Sequence, residues 1–187
     1  MRRSGRQLKT GCGYPPVASP INPCSLCDAN CCKSYMITAT AFDILRVMEQ
    51  TGRNAEDFAM LHQARLLAFD PDTTLDMEDD SWVYLLGFKS HPCFFLEKNR
   101  CTIHASAPLS CQRYPFQLDG KLNARFCPII PQLAFRLKGA DISASMMKSE
   151  LEEYKKIVKE WNQKPGKMGD CLKFLLDRAT KMRKHVD

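Results

Sequence analysis

Apolar residues recur at helical spacing in four stretches of the chain, two in its first half and two near its end. The four predicted helices begin after Thr40, after Asn54, at Ser143 or Ser145 and at Asp170, and they end at Gly52, before Pro71, at about Asn162 and at about Lys184. Capping residues precede most of these stretches, and Gly or Pro follows three of them, as at helix ends in general. His62 lies inside the second stretch and is expected to be a core or surface residue, not a metal ligand.

Between the two helical pairs the pattern changes to short strands. Residues 82–86 form one apolar strand pattern, and residues 94–96 and 101–103 form two more, joined by a four-residue turn. Asp119-Gly120 predicts a further hairpin. The acidic stretch 70–80 lacks the glycine and closing Glu of a calcium loop, so we expect a solvated connector. The pattern predicts an α+β fold, in which a small cysteine-rich core with short hairpins packs with N-terminal and C-terminal helices.

Ten cysteines are unusually many for a chain of 187 residues, and eight of them fall in three runs. The eight candidate ligands are Cys24, Cys27, Cys31, Cys32, Cys93, Cys101, Cys111 and Cys127. Thiols at such close spacing can converge on one metal centre. The adjacent Cys31 and Cys32 point in different directions, so we expect a branch point that serves two centres. Cys12 and Cys171 stand apart from the runs and are not expected to be ligands.

These runs resemble the cysteine-cluster family described as zinc- or iron-chelating domains. The resemblance covers roughly residues 21 to 131 and includes the eight thiols, Leu96, Ile103, Pro108, Tyr114-Pro115-Phe116 and Cys127-Pro128. The chain departs from the family pattern by three residues between Cys27 and Cys31, where two are common, by His104 in place of Tyr and by Ala107 in place of Arg. The resemblance implies metal binding by the thiols and does not decide between zinc and iron.

Eight thiols are the number that two four-thiolate centres require, and we expect two [4Fe-4S] clusters. Cys127-Pro128 is similar to the Cys-Pro that closes ferredoxin ligand runs, and the chain has only one tight C-x2-C pair of the kind that zinc sites favour. Four aromatic residues, Phe94, Phe95, Phe116 and Phe126, are expected either to shield the metal or to be ordinary core residues. Zinc remains the alternative cofactor.

The formal net charge is +6, but four cations near the thiols can compensate anionic clusters. They are Lys33, Arg100, Arg113 and Arg125. No base-stacking motif accompanies the charge, so nucleic-acid binding is not expected. Residues 1–20 are predicted to be a flexible basic arm, 21–138 the cysteine-cluster domain and 139–187 a C-terminal helical extension. We find no secretory signal and no transmembrane run, and free clustered thiols are typical of the reducing cytoplasm.

The leading hypothesis is a cytoplasmic iron–sulfur protein from an anaerobe, acting as a redox-responsive accessory subunit or electron carrier for a larger partner complex. The first alternative is a zinc-stabilised protein-interaction module without a redox role. The second is a methyl-transfer enzyme of the flagellin lysine methylase type, whose cysteine pattern is similar. Catalysis is the less favoured hypothesis, because the chain has no phosphate loop, nucleophile elbow or paired His with a carboxylate. No catalytic residue is therefore assigned.

Overall fold

The computed structural model describes residues 27–64, 70–123, 125–140 and 142–184. Its helices are α1 (Asn30–Ser34), α2 (Ala41–Thr51), α3 (Ala55–Phe58), α4 (Leu109–Arg113), α5 (Ile129–Lys138), α6 (Ala144–Gln163) and α7 (Met168–Lys184). Its strands are β1 (Ala59–Gln63), β2 (Leu75–Met77), β3 (Asp80–Phe88), β4 (Leu96–Glu97) and β5 (Arg100–Cys101). Two single 3-10 turns, Pro71–Thr73 and His104–Ser106, complete the described elements. The predicted α+β class is confirmed.

Helix α2 forms where the sequence predicts it, because its end signals are local. The Thr40 hydroxyl accepts a hydrogen bond from the Asp43 amide, and the Asp43 carboxylate accepts one from the Thr40 amide. This reciprocal capping box satisfies two N–H groups that would otherwise lack partners. Gly52 ends the helix with φ 68°, a left-handed conformation in which glycine is not strained.

Strands β1, β2 and β3 form an antiparallel sheet with the order β1-β3-β2. Leu61 pairs with Leu86 across β1 and β3, and Leu75 pairs with Tyr84 across β2 and β3. Residues 37–39, which lead into α2, pair with β3 beyond the end of β2. The Phe88 amide donates to the Ile37 carbonyl at 2.9 Å, and Thr38 bridges to Gly87. The thiol-bearing segment around α1 is thereby joined to the sheet.

The predicted second helix is wrong beyond its first turn. Helix α3 ends at Phe58, and the chain then becomes β1, which pairs with β3 over its whole length. Phe58 and Ala59 are both buried, which helical spacing alone does not explain. Long-range strand pairing has overridden a local helical pattern here. The end of the predicted helix, residues 65–69, lies outside the described residues.

The predicted solvated connector at 70–80 is also wrong. Leu75 and Met77 alternate into the core as strand β2, and hydrogen bonds fix the same stretch to α6. The Trp161 indole donates to the Asp76 carbonyl at 2.7 Å, and the Asn162 side-chain amide donates to the Thr74 carbonyl at 2.8 Å. Several acidic side chains of this stretch remain exposed, and Asp70 pairs with Lys155 on α6.

The two long C-terminal helices are confirmed, with Ser143 capping α6 through the Met146 amide. Their buried residues, among them Tyr154, Ile157, Cys171 and Leu175, belong to the same hydrophobic core as α2 and the sheet. The predicted strand at 82–86 lies within β3, whereas the strands predicted at 94–96 and 101–103 share only Leu96 with β4 and Cys101 with β5. The division into domains at 138 stays a prediction. In the described ranges, no helix has the length and apolar character needed to cross a membrane.

Candidate metal centre

Separate segments of the chain carry the thiols, and a local feature of the backbone positions each one. Helix α1 carries Cys31 and Cys32, the β4–β5 hairpin carries Cys101 and begins just after Cys93, and α4 carries Cys111. Cys27 precedes α1, and Cys127 precedes α5 by two residues. All of these are free thiols, as is Cys171. Cys24 and Cys12 lie outside the described residues.

The extra residue between Cys27 and Cys31 is accommodated by an unusual backbone conformation. Ala29, in the middle of this spacer, has φ 57° and ψ 38°, and α1 begins at the next residue. The left-handed conformation costs a non-glycine residue roughly 1–2 kcal/mol, so the surrounding packing must hold it. The left-handed conformation at Ala29 redirects the chain between Cys27, which precedes it, and Cys31, which lies in α1.

Backbone hydrogen bonds join the thiol-bearing segments to one another and to α2. The Cys93 amide donates to the Cys32 carbonyl at 2.9 Å, which fixes the start of the hairpin against α1. The Leu109 amide, at the start of α4, donates to the buried Asp43 carboxylate at 3.0 Å. Asp43 therefore caps α2 and holds the first residue of α4 at the same time. Because α4 carries Cys111, the position of that thiol depends on the capping box of α2.

Six of the thiols line one cavity of about 650 Å³. They are Cys27, Cys31, Cys32, Cys93, Cys101 and Cys111. Cys127 does not line the cavity, but its thiol is close enough to Cys27 and Cys31 to interact with both electrostatically. Cys31 is central, since its thiol also interacts with those of Cys93, Cys101 and Cys111. The Cys31 and Cys32 sulfur atoms are 3.9 Å apart.

Several of these thiols have raised pKa values, with burial as the main cause at Cys93, Cys111 and Cys127, and are protonated in the absence of metal. Burial raises the pKa of both Cys93 and Cys127 to about 11, with further contributions from neighbouring thiols. The pKa of Cys111 lies well above its usual value for the same reason, and the pKa of Cys31 is raised mainly by its hydrogen bond with Cys32. Thiolates are the form that binds metal, so binding must release protons.

The donor set is chemically suited to zinc or to an iron–sulfur cluster, both of which accept four thiolates. Within residues 27–64, 70–123, 125–140 and 142–184, however, no group of three or more His, Cys, Asp or Glu side chains is arranged to hold a metal ion. The thiols surround a shared space rather than a single point.

The family model of the CxxCxxCC domain, described as "Putative zinc- or iron-chelating domain", matches residues 23–128, more than half of the chain. The chain belongs to the CxxCxxCC family. The predicted resemblance is confirmed, and with it the coarse function of a metal-chelating cysteine domain. No curated protein and no solved structure matches the chain.

Within this CxxCxxCC domain, the predicted aromatic shield is wrong, because none of the four phenylalanines lines the thiol cavity. Phe95 packs edge-on against Phe58 and Phe88 in the core. Phe94 packs on Phe95, Phe116 on Phe135 and Phe126 on Tyr35. Phe95 and, in part, Phe94 belong to the hydrophobic core, as the alternative interpretation predicts, whereas Phe116 and Phe126 pack outside it.

Two tyrosines line the cavity instead, and the sequence analysis did not single out either of them for this role. Tyr35 follows α1, and Tyr114 follows α4, with their rings 5.8 Å apart. The Tyr114 hydroxyl accepts a hydrogen bond from the Phe126 amide at 3.2 Å, which ties the approach to Cys127 to the cavity wall. Burial raises the pKa of Tyr114, so its phenol is neutral. Tyr114 belongs to the Tyr114-Pro115-Phe116 run that carries the family resemblance, whereas only its closeness to Cys31 and Cys32 marks Tyr35 in the sequence.

The four cations predicted to compensate the clusters have different surroundings. Arg100 lines the cavity from the β4–β5 hairpin, and Lys33 lies in the last turn of α1. Arg113 is buried and donates to the carbonyls of Gln117 and Ile142, so its guanidinium fixes two loops. Arg125 lies over the Phe126 ring. Of the four, Arg100 is the one that lines the cavity.

The two histidines of interest also have different surroundings. His104, which departs from the tyrosine common in the family, lines the thiol cavity from a 3-10 turn. His62 lies in β1 and donates from Nε2 to the Phe88 carbonyl at 2.8 Å. That hydrogen bond reinforces the pairing of β1 with β3 and uses one ring nitrogen of His62 within the sheet.

Proposed function

We propose that this chain is an iron–sulfur protein that holds two [4Fe-4S] clusters and serves as a redox-responsive accessory subunit or electron carrier for a larger complex. The clusters would be held by Cys24, Cys27, Cys31, Cys32, Cys93, Cys101, Cys111 and Cys127. The observation that supports this proposal is the size of the shared thiol cavity, about 650 Å³. Four thiolates at about 2.3 Å from one zinc ion enclose it with no such space, whereas polynuclear clusters are bulky.

When bound, such clusters would supply reversible one-electron chemistry. The chain's own residues would set the conditions for it. Cys93 and Cys127 are buried, which would limit the access of water to their sulfur atoms, and Arg100 would offset part of the negative charge at the cavity wall. Eight thiolates would leave no open coordination position, which suits electron transfer or sensing better than Lewis-acid catalysis. A reducing cytoplasm would keep the thiols available.

Zinc is the second candidate, and one distance favours it. The 3.9 Å between the Cys31 and Cys32 sulfur atoms is near the roughly 3.8 Å that separates two thiolates on a tetrahedral zinc ion with Zn–S bonds of about 2.3 Å. In that case the chain would be a zinc-stabilised interaction module. A methyl-transfer enzyme remains the least supported alternative, and none of the contacts around the cavity favours it.

Metal and sulfide analysis of anaerobically purified protein tests the proposal. We expect about eight iron and eight acid-labile sulfide per chain, with a brown colour that bleaches reversibly on reduction. About four of each would contradict two clusters while retaining one. Zinc without sulfide would contradict the iron–sulfur proposal and support the zinc module. Cys171→Ala is the matched control, because Cys171 is a buried thiol of α7, outside the cavity lining, and its loss should leave the metal content unchanged.

A further inference from the structure

Helix α4, which carries Cys111, has only five residues. A helix of about one turn is not stable by itself, so contacts at its two ends must hold it in place. At its last residue, the buried Arg113 side chain donates from Nη1 to the Ile142 carbonyl at 2.7 Å. Ile142 directly precedes Ser143, the N-cap of α6. The C-terminal end of α4 is therefore joined to the start of α6.

The other end of α4 is joined to α6 through three charged side chains. The Leu109 amide donates to Oδ1 of Asp43 at 3.0 Å, and the same oxygen accepts a hydrogen bond from Arg46. Arg46 donates from both Nη atoms to the carboxylate of Glu150, a residue of α6. The side chains of Asp43, Arg46 and Glu150 are only 5%, 13% and 14% exposed. A two-point contact of this kind fixes the guanidinium more firmly than a single hydrogen bond does.

Arg46 also offsets the repulsion between the two carboxylates. The Thr40 hydroxyl lies 3.0 Å from Oδ2 of Asp43 and 3.1 Å from Oε1 of Glu150. Its single proton can be donated to only one of these oxygens at a time. The guanidinium contacts both carboxylates and offsets a repulsion that is costly where exposure to water is low. The orientation in which Asp43 holds the start of α4 therefore depends on Arg46 and Glu150.

We propose that Arg46 and Glu150 are positioning residues for Cys111. They orient the Asp43 carboxylate, which holds the start of α4 and thereby keeps the Cys111 thiol at the cavity wall. Glu150 lies outside residues 23–128, which the family model matches, so the C-terminal helices contribute to the metal site from beyond the matched domain. The placement of α4 does not depend on bound metal, whereas its consequence for metal binding rests on the proposed function, in which Cys111 is a ligand.

Hydrogen exchange of the full chain, followed by mass spectrometry with fragmentation to single residues, tests the placement of α4. Arg46→Gln removes the charge that offsets the two carboxylates, and Glu150→Gln removes the carboxylate that anchors Arg46. We expect the Leu109 amide to exchange at least about fivefold faster in each variant, because local opening of α4 becomes easier. The double variant should exchange more slowly than Arg46→Gln alone, since it leaves no pair of facing carboxylates without a cation.

The matched control is Arg178→Gln, which removes an exposed contact between Arg178 and Glu160 near the C-terminal end of α6. It should leave exchange at Leu109 unchanged. The amide of Leu175, buried in α7, reports opening of the core in the same samples. Unchanged exchange at Leu109 in either single variant would overturn the proposal. An equal increase at Leu175 would overturn it as well, because that result means general destabilisation, and so would a double variant that exchanges as fast as Arg46→Gln.

Alkylation of the purified protein by iodoacetamide, measured for each cysteine by mass spectrometry, tests the thiol itself. Cys111 should react at least about fivefold faster in Arg46→Gln than in the parent chain, whereas Cys171, buried in α7, should react at an unchanged rate. Loss of a nearby cation disfavours the thiolate, so charge alone would slow the reaction and only greater exposure of Cys111 can accelerate it. Equal acceleration of both thiols, or of neither, would contradict the positioning role.

Metal release separates this proposal from the proposed function. If Cys111 is a ligand, Arg46→Gln should lose metal to a chelator at least about fivefold faster than the Arg178→Gln control does. Equal rates would overturn the consequence for metal binding and the role of Cys111 as a ligand. Hydrogen exchange at Leu109 decides the placement of α4 in either case, because that readout does not depend on which metal the thiols bind.

Discussion

Cys31 and Cys32 are neighbours in the sequence, but their surroundings differ. The Cys31 thiol interacts electrostatically with the thiols of Cys93, Cys101 and Cys111, whereas Cys32 is half-buried against the hydrophobic core. The Cys32 carbonyl also accepts the hydrogen bond that fixes Cys93. This difference is what the branch-point hypothesis requires, although the assignment of each thiol to a centre stays a prediction.

The branch predicts that Cys31→Ser and Cys32→Ser damage different centres. If two clusters form, each variant should retain roughly half of the iron with an otherwise native spectrum. Combining Cys31→Ser with Cys93→Ser should cause little further loss, because two ligands of the same centre are not independent. Combining Cys31→Ser with Cys32→Ser should instead remove almost all the iron. Iron analysis of the four variants checks this.

The control for this series is Cys171→Ala, which should keep the full iron content. The branch hypothesis would be wrong if the Cys31→Ser, Cys32→Ser double variant retained as much iron as either single variant. Circular dichroism of each variant shows whether a loss of iron reflects unfolding instead of the loss of one centre.

At the scale of single elements, β3 depends on one glycine. A Cβ atom at Gly87 would lie 2.5 Å from the Ile37 carbonyl oxygen and 3.1 Å from the His62 ring. Both neighbours are constrained, since the Ile37 carbonyl accepts the Phe88 amide and His62 donates to the Phe88 carbonyl. The absence of a side chain at Gly87 is what allows the segment after α1 to lie against the sheet.

Gly87→Ala should therefore lower the free energy of unfolding by about 1–3 kcal/mol, the cost of forcing a side chain into packed backbone. Urea denaturation followed by circular dichroism measures it. Gly169→Ala is the control, because an added Cβ there meets nothing within 4 Å and lies in the first turn of α7. The control should be neutral or slightly stabilising. Equal unfolding free energies for the two variants would contradict the proposed role of Gly87.

The elements that the sequence predicts well are those whose signals are local. Helix α2 carries its own capping box, and α6 begins at Ser143 as expected. The sequence predicts a helix where strand β1 forms, because the pairing partner β3 lies about 25 residues further along the chain and leaves no trace in the local pattern. The sequence does not predict helix α5, because its apolar residues lie on both faces and Pro131 falls in its first turn.

The same distinction applies to the candidate site. Thiols are visible in a sequence because cysteine is rare and its spacing is regular, so the donor set could be predicted. Asp43 could not, since it holds the Leu109 amide across 66 residues of chain. Tyr35 and Tyr114 line the cavity through contacts that only the fold creates. Residues that support a site through space are not visible in local patterns.

At the scale of the whole molecule, metal binding and folding should be linked. Cys93 belongs to the same hydrophobic core as residues of α2, the sheet and the two C-terminal helices. Because a candidate ligand lies in this core, loss of metal should destabilise the rest of the fold. Metal that binds only the folded state stabilises it by mass action.

The raised pKa values of the buried thiols predict that the metal-free protein loses folding stability at alkaline pH. Burial raises the pKa of Cys93 and Cys127 to about 11 and that of Cys171 to about 12, from an ordinary value of 9.0. Between pH 9 and 11 the unfolded chain therefore holds fewer protons on these thiols than the folded protein. The contribution of these thiols to the free energy of unfolding is fully present below pH 9. It is lost as the pH rises through about 11, by up to about 1.4 kcal/mol per pH unit for each thiol.

Bound metal should remove the contribution of the ligand thiols, because they are already deprotonated in the folded state. The unfolding free energy of the metal-bound protein should therefore fall less steeply between pH 9 and 11 than that of the metal-free protein. Anaerobic urea titrations of both forms at each pH measure the difference. Surface lysines titrate in both forms and cancel in the comparison, and Cys171→Ala should reduce the slope equally in the two forms. Parallel pH profiles for the two forms would show that Cys93 and Cys127 do not bind the metal as thiolates.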